Sequence, residues 1–270
     1  MITIGTEKFG GGQLFIIAGP CVVESEKITL QTAERLREVT QRLHLPLIFK
    51  ASYRKANRLS GTSFTGIGDI AALRILEKVK HNFAVPLLTD IHETGEIQTV
   101  AQVCDVLQIP AFLCRQTELI VAAARTGRAI NIKKGQFLAA EDMVHLAQKA
   151  VDTGNRNIML TERGTTFGYR DLIVDFRSLV RMKETGHAVV FDATHSVQQP
   201  GGYGGASGGS REFVRPLTRA AIAVGIDGLF FETHPDPAQA KSDAATQLPL
   251  AQVESYLEEV KRLAEIGAQA

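Results

Sequence analysis

Cys21, His195, Glu232 and Asp243 form the set of residues in this chain best suited to holding a metal ion. Thiolate, imidazole and carboxylate are the ligands that a divalent transition ion such as Zn, Fe, Mn or Co accepts. Their separations match no local metal motif. A lone cysteine is more often a small buried hydrophobe, and a lone histidine a hydrogen-bonded core group. Spacing alone therefore leaves both readings open. A second set is cationic: Lys50, Lys55, Arg58, Arg115, Lys133, Lys134 and Arg163. In a chain of formal net charge +1, converging cations point to a substrate rich in phosphate and carboxylate. Arg supplies a bidentate fork and Lys a mobile point charge, a mixture suited to several anionic groups at once. The competing reading pairs some of these cations with Asp90, Glu162 and Asp171. The stretch AINIKKGQF (129–137) is the sharpest case, a short apolar strand running directly into two lysines. Unpaired charge inside a fold is strongly penalised, so these lysines need partners or a ligand.

Eight apolar runs could carry such residues: 15–21, 47–53, 86–92, 106–112, 129–137, 157–161, 188–195 and 228–234. FIIAG, VLQIPAF and GLFF are continuous apolar runs, as strands buried on both faces are. Helical periodicity fills the gaps at 25–43, 70–79, 94–103, 117–125, 140–152, 172–183, 212–224 and 249–266. The alternation predicts one (β/α)8 TIM barrel over 1–270, with a doubly wound open sheet as the lesser alternative. Residues 2–13 read as a short N-terminal hairpin with Gly10, Gly11 and Gly12 near its return. The Gly/Ser-rich 201–210 reads as a long mobile loop of the kind that acts as a lid.

Barrel active sites lie at the C-terminal strand ends. Those ends carry Cys21, Lys50 with Ser52, Asp90 with His92, Gln108, Lys133 with Lys134, Glu162 with Arg163, His195, and Glu232 with His234. The opposite ends are bland, so polar chemistry gathers at one mouth. Cys104 reads as structural, Cys114 has no assigned role, and His44, His81, His145 and His187 read as surface residues. The glycines of 201–209 lack the strand-to-helix setting of a dinucleotide fingerprint.

Bulk properties exclude several classes. With 44% apolar and 22% charged residues the composition is that of an ordinary globular protein. The near-neutral charge gives no broad footprint for nucleic acid or membrane. No apolar run reaches the ~18 residues of a membrane span, and MITIGTEKFGGGQL lacks the layout of a signal peptide. Three cysteines argue against a disulfide framework. The expectation is a soluble, cytoplasmic protein.

The motifs IAGPC (17–21), FKAS (49–52), KANR (55–58), TDIHE (89–93), QIPAFLCRQT (108–117), NIKKGQF (131–137), TERGTTFGY (161–169), DATHSVQ (192–198), ETHPDP (232–237) and KSDAATQLPL (241–250) occur in this order. Together they resemble the 3-deoxy-D-manno-octulosonate 8-phosphate synthases, a likeness that spans nearly the whole chain. The resemblance implies a (β/α)8 barrel, usually a homotetramer. It also implies condensation of phosphoenolpyruvate with D-arabinose 5-phosphate and water, releasing phosphate, in lipopolysaccharide precursor biosynthesis. Metal-independent members carry Asn where this chain has Cys21, so Cys21 with SDAATQLP resembles the metal-dependent class. By that likeness one divalent ion is held by Cys21, His195, Glu232 and Asp243. The phosphoenolpyruvate positions are then Lys50, Ser52, Lys55, Gln108, Lys133 and Arg163, with His195 beside them. The pentose phosphate positions are Asn57, Arg58 and Asp90. Arg115 matches a residue that reaches a neighbouring subunit's phosphate site.

The same likeness implies attack of C3 of phosphoenolpyruvate on the sugar aldehyde, addition of water at C2, and departure of phosphate by C–O cleavage. Lys133, with Lys55 and Arg163, would neutralise the two anionic groups. His195, Glu232 and Asp243 are candidate proton carriers, and a metal would act on either the water or the aldehyde. Many members read SFDKANRSS where this chain has Tyr53, Arg54 and Leu59, which puts Arg54 or Ser60 forward as substitute phosphate contacts. The alternatives are the sister 3-deoxy-D-arabino-heptulosonate 7-phosphate synthase using erythrose 4-phosphate, a metal-dependent aldolase of another kind, and a silent phosphosugar-binding barrel.

Overall fold

The structure, a computed structural model, describes every residue except 57–60, 167–170, 204–205 and 268–270. Among the described residues, eight parallel strands form the barrel: β1 (Phe15–Gly19), β2 (Leu47–Lys50), β3 (Leu87–Asp90), β4 (Val106–Ile109), β5 (Ala129–Lys133), β6 (Ile158–Glu162), β7 (Ala188–Asp192) and β8 (Gly228–His234). Each pairs with the next, and β8 pairs back onto β1 through Gly228↔Phe15 and Glu232↔Gly19, which closes the cylinder. Closure gives the expected (β/α)8 architecture and, among the described residues, leaves the eight barrel strands no free edge.

Side chains alternate across each strand. Phe15, Ile17, Ile48, Leu88, Val106, Met159, Val190 and Phe230 point inward and form one core. Their neighbours, Ile16, Phe49, Leu107, Ile130, Leu160 and Phe231 among them, face outward against the helices. Both faces are buried, which is why the strands have no polar alternation. Two glycines mark where backbones crowd. A Cβ on Gly19 would lie 1.9 Å from the carbonyl oxygen of Lys50, and one on Gly228 would lie 2.5 Å from the Phe15 ring.

The outer layer is α1 (Glu26–Arg42), α2 (Asp69–Phe83), α3 (Ile97–Val103), α4 (Thr117–Ala124), α5 (Met143–Val151), α6 (Arg177–Lys183), α7 (Val214–Val224) and α8 (Val253–Gly267). In α1 the Ser25 hydroxyl accepts the Ile28 N–H, and Thr29, Thr32, Ala33, Leu36, Val39 and Thr40 form the buried stripe. No helix among the described residues is long and apolar enough to cross a membrane.

Three expectations need correction. The N-terminal hairpin, Ile2–Ile4 with Glu7–Phe9, returns at Gly5 and Thr6, where Gly5 takes φ +59°. Gly10 to Gly12 instead make a second tight turn bridged by Gly10 and Gln13. Residues 172–183 are not one helix: Leu172–Ile173 pairs antiparallel with Thr165–Thr166, and α6 begins only at Arg177. The Asp175 carboxylate accepts the Arg177 N–H there and starts the turn. The 201–210 stretch, expected as a long loop, carries strand pairing instead: Gln198–Tyr203 and Ala206–Gly209 pair as an antiparallel hairpin after β7, which leaves the lid reading untouched. Four further helical patterns begin with a tighter 3-10 turn, at Thr94–Glu96, Ala140–Asp142, Arg211–Phe213 and Leu250–Gln252.

Candidate active site

The inward strand positions end in charge rather than in apolar side chains. On β8, Phe230 packs in the barrel core, and two residues later Glu232 points into the mouth, fully buried. Its Oε1 accepts Lys50 Nζ at 2.5 Å, and its other oxygen, Oε2, is buried with no hydrogen-bond partner. Because β8 lies beside β1, Glu232 also comes next to Cys21 just beyond the β1 end. Asp243, in the loop after β8, completes the cluster. Donor atoms of Cys21, Glu232 and Asp243 all lie within 4.8 Å of one another. Cys21 Sγ sits 3.0 Å from Ser242 Oγ and 3.2 Å from Asp243 Oδ2.

His195 faces the same cluster, with Nε2 at 3.6 Å from Glu232 and 3.7 Å from Asp243. Asp192, the last residue of β7, orients it. Asp192 Oδ2 takes the His195 Nδ1 contact at 2.8 Å, while Oδ1 accepts the His195 backbone N–H at 2.9 Å. The second ring nitrogen is therefore turned toward the acids. Asp243 adopts φ +46°, a left-handed conformation that Asp tolerates better than most side chains. Its carbonyl accepts the N–H groups of Thr246 and Gln247, which fixes the turn.

The electrostatics suit a cation. Burial, with Asp243 and Glu232 beside it, pushes the Cys21 thiol well above its ordinary value. Burial opposes the charge on Asp243, yet His195 and Lys55 outweigh it and hold that carboxyl well below the usual range. For Glu232, Lys50 and His195 likewise outweigh burial. A thiol, two carboxylates and an imidazole around an unpartnered carboxylate oxygen are a donor set that a divalent ion fits, and a bound cation would favour the thiolate.

A cavity of about 420 Å³ opens above this cluster. Lys50, Lys55, Lys133 and Arg163 line it, with Asp90, Gln108, His195 and Asp243. Lys133 pairs with Asp192, and its Nζ lies 3.6 Å from the centre of the Phe230 ring. Burial lowers its pKa despite Asp192. Lys55 Nζ donates to Ser52 Oγ at 2.8 Å, which ties Ser52 to this wall. Gln108 is oriented by a buried chain. Thr161 Oγ1 donates to Asn131 Oδ1, and Asn131 Nδ2 donates to Gln108 Oε1 at 3.0 Å. The Gln108 amide N–H groups are left as its donors toward the cavity.

Several expected positions fall elsewhere. Lys134 turns away from the mouth: its buried ammonium donates to the carbonyls of Gly135 and Leu138 and to Thr165 Oγ1, 3.6 Å from Glu162. Glu162 is that lysine's partner and also accepts the Arg163 and Gly164 N–H groups. Arg54 pairs with Asp69 at 3.2 Å and with Glu96, so its guanidinium is engaged within the chain. Asp90, by contrast, does line the cavity; it pairs with His92 Nε2 at 3.0 Å, and its Oδ1 is buried without a partner. Arg115 is exposed and does not line its own chain's cavity. Asn57, Arg58, Leu59 and Ser60 lie outside the described residues. Cys104 and Cys114 are both buried in the outer core.

Sequence reasoning missed Asp192 and Gln198. Both belong to DATHSVQ, and Asp192 stands three residues before His195 at a strand end. That spacing was the available signal for a carboxylate that orients an imidazole. Nothing in the sequence signals Gln198, whose contacts lie across the barrel mouth.

The family model of the DAHP synthetase I family matches residues 1–269. A 2-dehydro-3-deoxyphosphooctonate aldolase from Trichlorobacter lovleyi is 55% identical over 263 residues, covering 97% of each chain. One from Nitrosococcus oceani is 59% identical over 245 residues, 91% of this chain and 88% of the relative. One from Magnetococcus marinus is 52% identical over 270 residues, 100% of this chain and 94% of the relative. On these grounds the chain belongs to the DAHP synthetase I family, within its 2-dehydro-3-deoxyphosphooctonate aldolase branch.

Proposed function

We propose that this chain condenses phosphoenolpyruvate with D-arabinose 5-phosphate and water to give 3-deoxy-D-manno-octulosonate 8-phosphate and phosphate, in lipopolysaccharide precursor biosynthesis. The observation that carries this reading is one cavity lined by five cationic side chains, Lys50, Lys55, Lys133, Arg163 and Lys241, beside a compact thiol and carboxylate cluster that the His195 imidazole faces. Phosphoenolpyruvate joins a phosphate and a carboxylate on one carbon. Lys133, Arg163 and Lys55 would hold those groups, with Lys50, Ser52 and Gln108 around them. Removal from water makes each such contact stronger than in bulk and positions C3 of the enol for attack. Asp90, with an unpaired oxygen, would bind a sugar hydroxyl, and Asn57 and Arg58 are assigned to the same pentose phosphate.

C3 forms the new bond to the aldehyde carbon, whose oxygen takes up a proton. Water adds at C2, and the C2–O bond to phosphate then breaks, leaving the 2-keto product. Asp243, Glu232 and His195 would take one proton from water and return one to the former aldehyde oxygen, while the second proton of that water leaves with the departing phosphate. A divalent ion held by Cys21, His195, Glu232 and Asp243 would supply Lewis acidity at this point. We also assign the chain a single barrel domain, a cytoplasmic location and a homotetrameric assembly in which Arg115 reaches a neighbour's phosphate site.

The test is phosphate release from phosphoenolpyruvate with arabinose 5-phosphate or erythrose 4-phosphate, each before and after chelation. Release with the pentose phosphate alone, abolished by chelator and restored by Mn or Zn, is the expected result. Release with erythrose 4-phosphate alone would move the chain to the sister activity. Binding without release would make it a phosphosugar-binding barrel. Release that survives verified metal removal would strip Cys21 of a ligand role that catalysis needs.

A further inference from the structure

Gln198 lies at the base of the hairpin after β7 and joins the two halves of the site. Its Oε1 accepts Arg163 Nη2 at 3.0 Å, and its Nε2 donates to Asp243 Oδ1 at 2.9 Å. The direction is fixed by chemistry, because a guanidinium only donates and a carboxylate only accepts. A side-chain amide can accept at one end and donate at the other in this way. The surroundings hold the bridge in place. Ser210 N–H donates to the Val197 carbonyl at 3.0 Å, and a Cβ on Gly209 would lie 2.1 Å from the Thr246 methyl group. The hairpin base thus packs directly on the turn that presents Asp243. At the far end, the Arg163 residue lines the cavity and its Nη1 is buried without a hydrogen-bond partner, so the same guanidinium has an arm left for an anion.

We infer that Gln198 is a positioning residue that couples occupancy of the Arg163 anion subsite to the affinity of the Cys21, His195, Glu232 and Asp243 cluster for a divalent ion. This rests on the anion and metal assignments proposed above. An anion on Nη1 fixes the guanidinium plane, which fixes the Gln198 amide and, through it, the Asp243 carboxylate. The ion then binds a pre-ordered ligand. Linkage makes the effect reciprocal, so the ion tightens the anion by the same factor.

The experiment measures Mn2+ affinity of the full chain by competition with a chelating indicator, with and without saturating phosphoenolpyruvate and with no sugar present. Wild type and Gln198→Met are compared, since Met keeps the volume and removes both hydrogen bonds. In wild type, phosphoenolpyruvate is expected to tighten Mn2+ about fivefold or more, with the same factor when Mn2+ is added to phosphoenolpyruvate titrations. In Gln198→Met both factors should fall together toward one. The Co2+-loaded protein should likewise lose its phosphoenolpyruvate-induced change in thiolate charge-transfer absorption. Factors in Gln198→Met within twofold of wild type would overturn the inference, and Gln198→Leu repeats the comparison with a second side chain. Failure of the underlying reading is separate, because it would appear in wild type as no Mn2+ binding, or as binding that Cys21→Ser leaves unchanged.

Discussion

The two ends of the barrel are made from the same strands and obey opposite rules. At the floor, Ile2, Ile4 and Phe9 of the N-terminal hairpin close the cylinder against Phe15, Met159 and Val190, and the Phe9 and Phe15 rings meet edge-on at 5.8 Å. At the mouth, two to four residues beyond the inward core positions Ile48, Ala129, Val190 and Phe230, buried positions are held by Lys50, Lys133, Asp192 and Glu232. Buried oxygens and nitrogens without partners gather there, at Asp90, Arg163 and Glu232. The floor is satisfied by packing alone. Polar atoms at the mouth stay unmatched until a ligand arrives, which is where binding energy comes from.

The sharpest way to break this contrast is to damage one end and read out the other. Phe9→Ala removes a fully buried ring from the plug and should cost about 3–5 kcal/mol of stability. Denaturant unfolding would report that loss, while kcat of the folded fraction stays within about twofold of wild type. A matching loss of kcat would mean that the floor shapes the mouth. The complementary change is Lys133→Met, which should lower kcat/KM about 10²–10³-fold with little loss of denaturant midpoint. It also leaves Asp192 without a cationic partner, so a large fall in stability would recast Lys133 as a structural residue.

The smallest effect sharpens the boundary between the ends. His92, between Asp90 and Glu96, is driven down by burial but pushed up further by both carboxylates, to about 9. A histidine raised above its unfolded value stabilises fully below about pH 6.5, and that stability is lost as pH rises through about 9. Glu96 is the reverse case. Burial raises it, but the His92 and Tyr53 contacts win and hold it at about 2, so its contribution is present above about pH 4.5 and is lost as pH falls. Unfolding midpoints across pH 6–9.5 should therefore decline more in wild type than in His92→Gln, by about 1–3 kcal/mol at most. Parallel curves would remove His92 as the cause.

How much of this was legible follows from range. FIIAG and GLFF announced buried strands because each is apolar on both faces, and their count fixed the barrel. Lys133 and Lys134 looked equivalent as letters, yet one residue step along a strand flips the side chain, which sends one into the mouth and the other into a cage of carbonyls. Residues 172–173 looked helical because their antiparallel partner, Thr165–Thr166, is not part of the local pattern. Asp192 and Gln198 act through distances across strands. No periodicity in a single sequence carries that information.

The Cys21 and Asp243 contact joins residues 222 positions apart, across the seam where the last strand meets the first. A nascent chain emerging from the ribosome would possess the thiol long before the aspartate. The proposed ligand pocket would not exist in any intermediate that lacks the closing strand. Such long-range closure is late and slow in folding. Ion capture by the proposed site would thus be a certificate of completed synthesis, because a truncated or half-wound chain holds Cys21, His195, Glu232 and Asp243 apart.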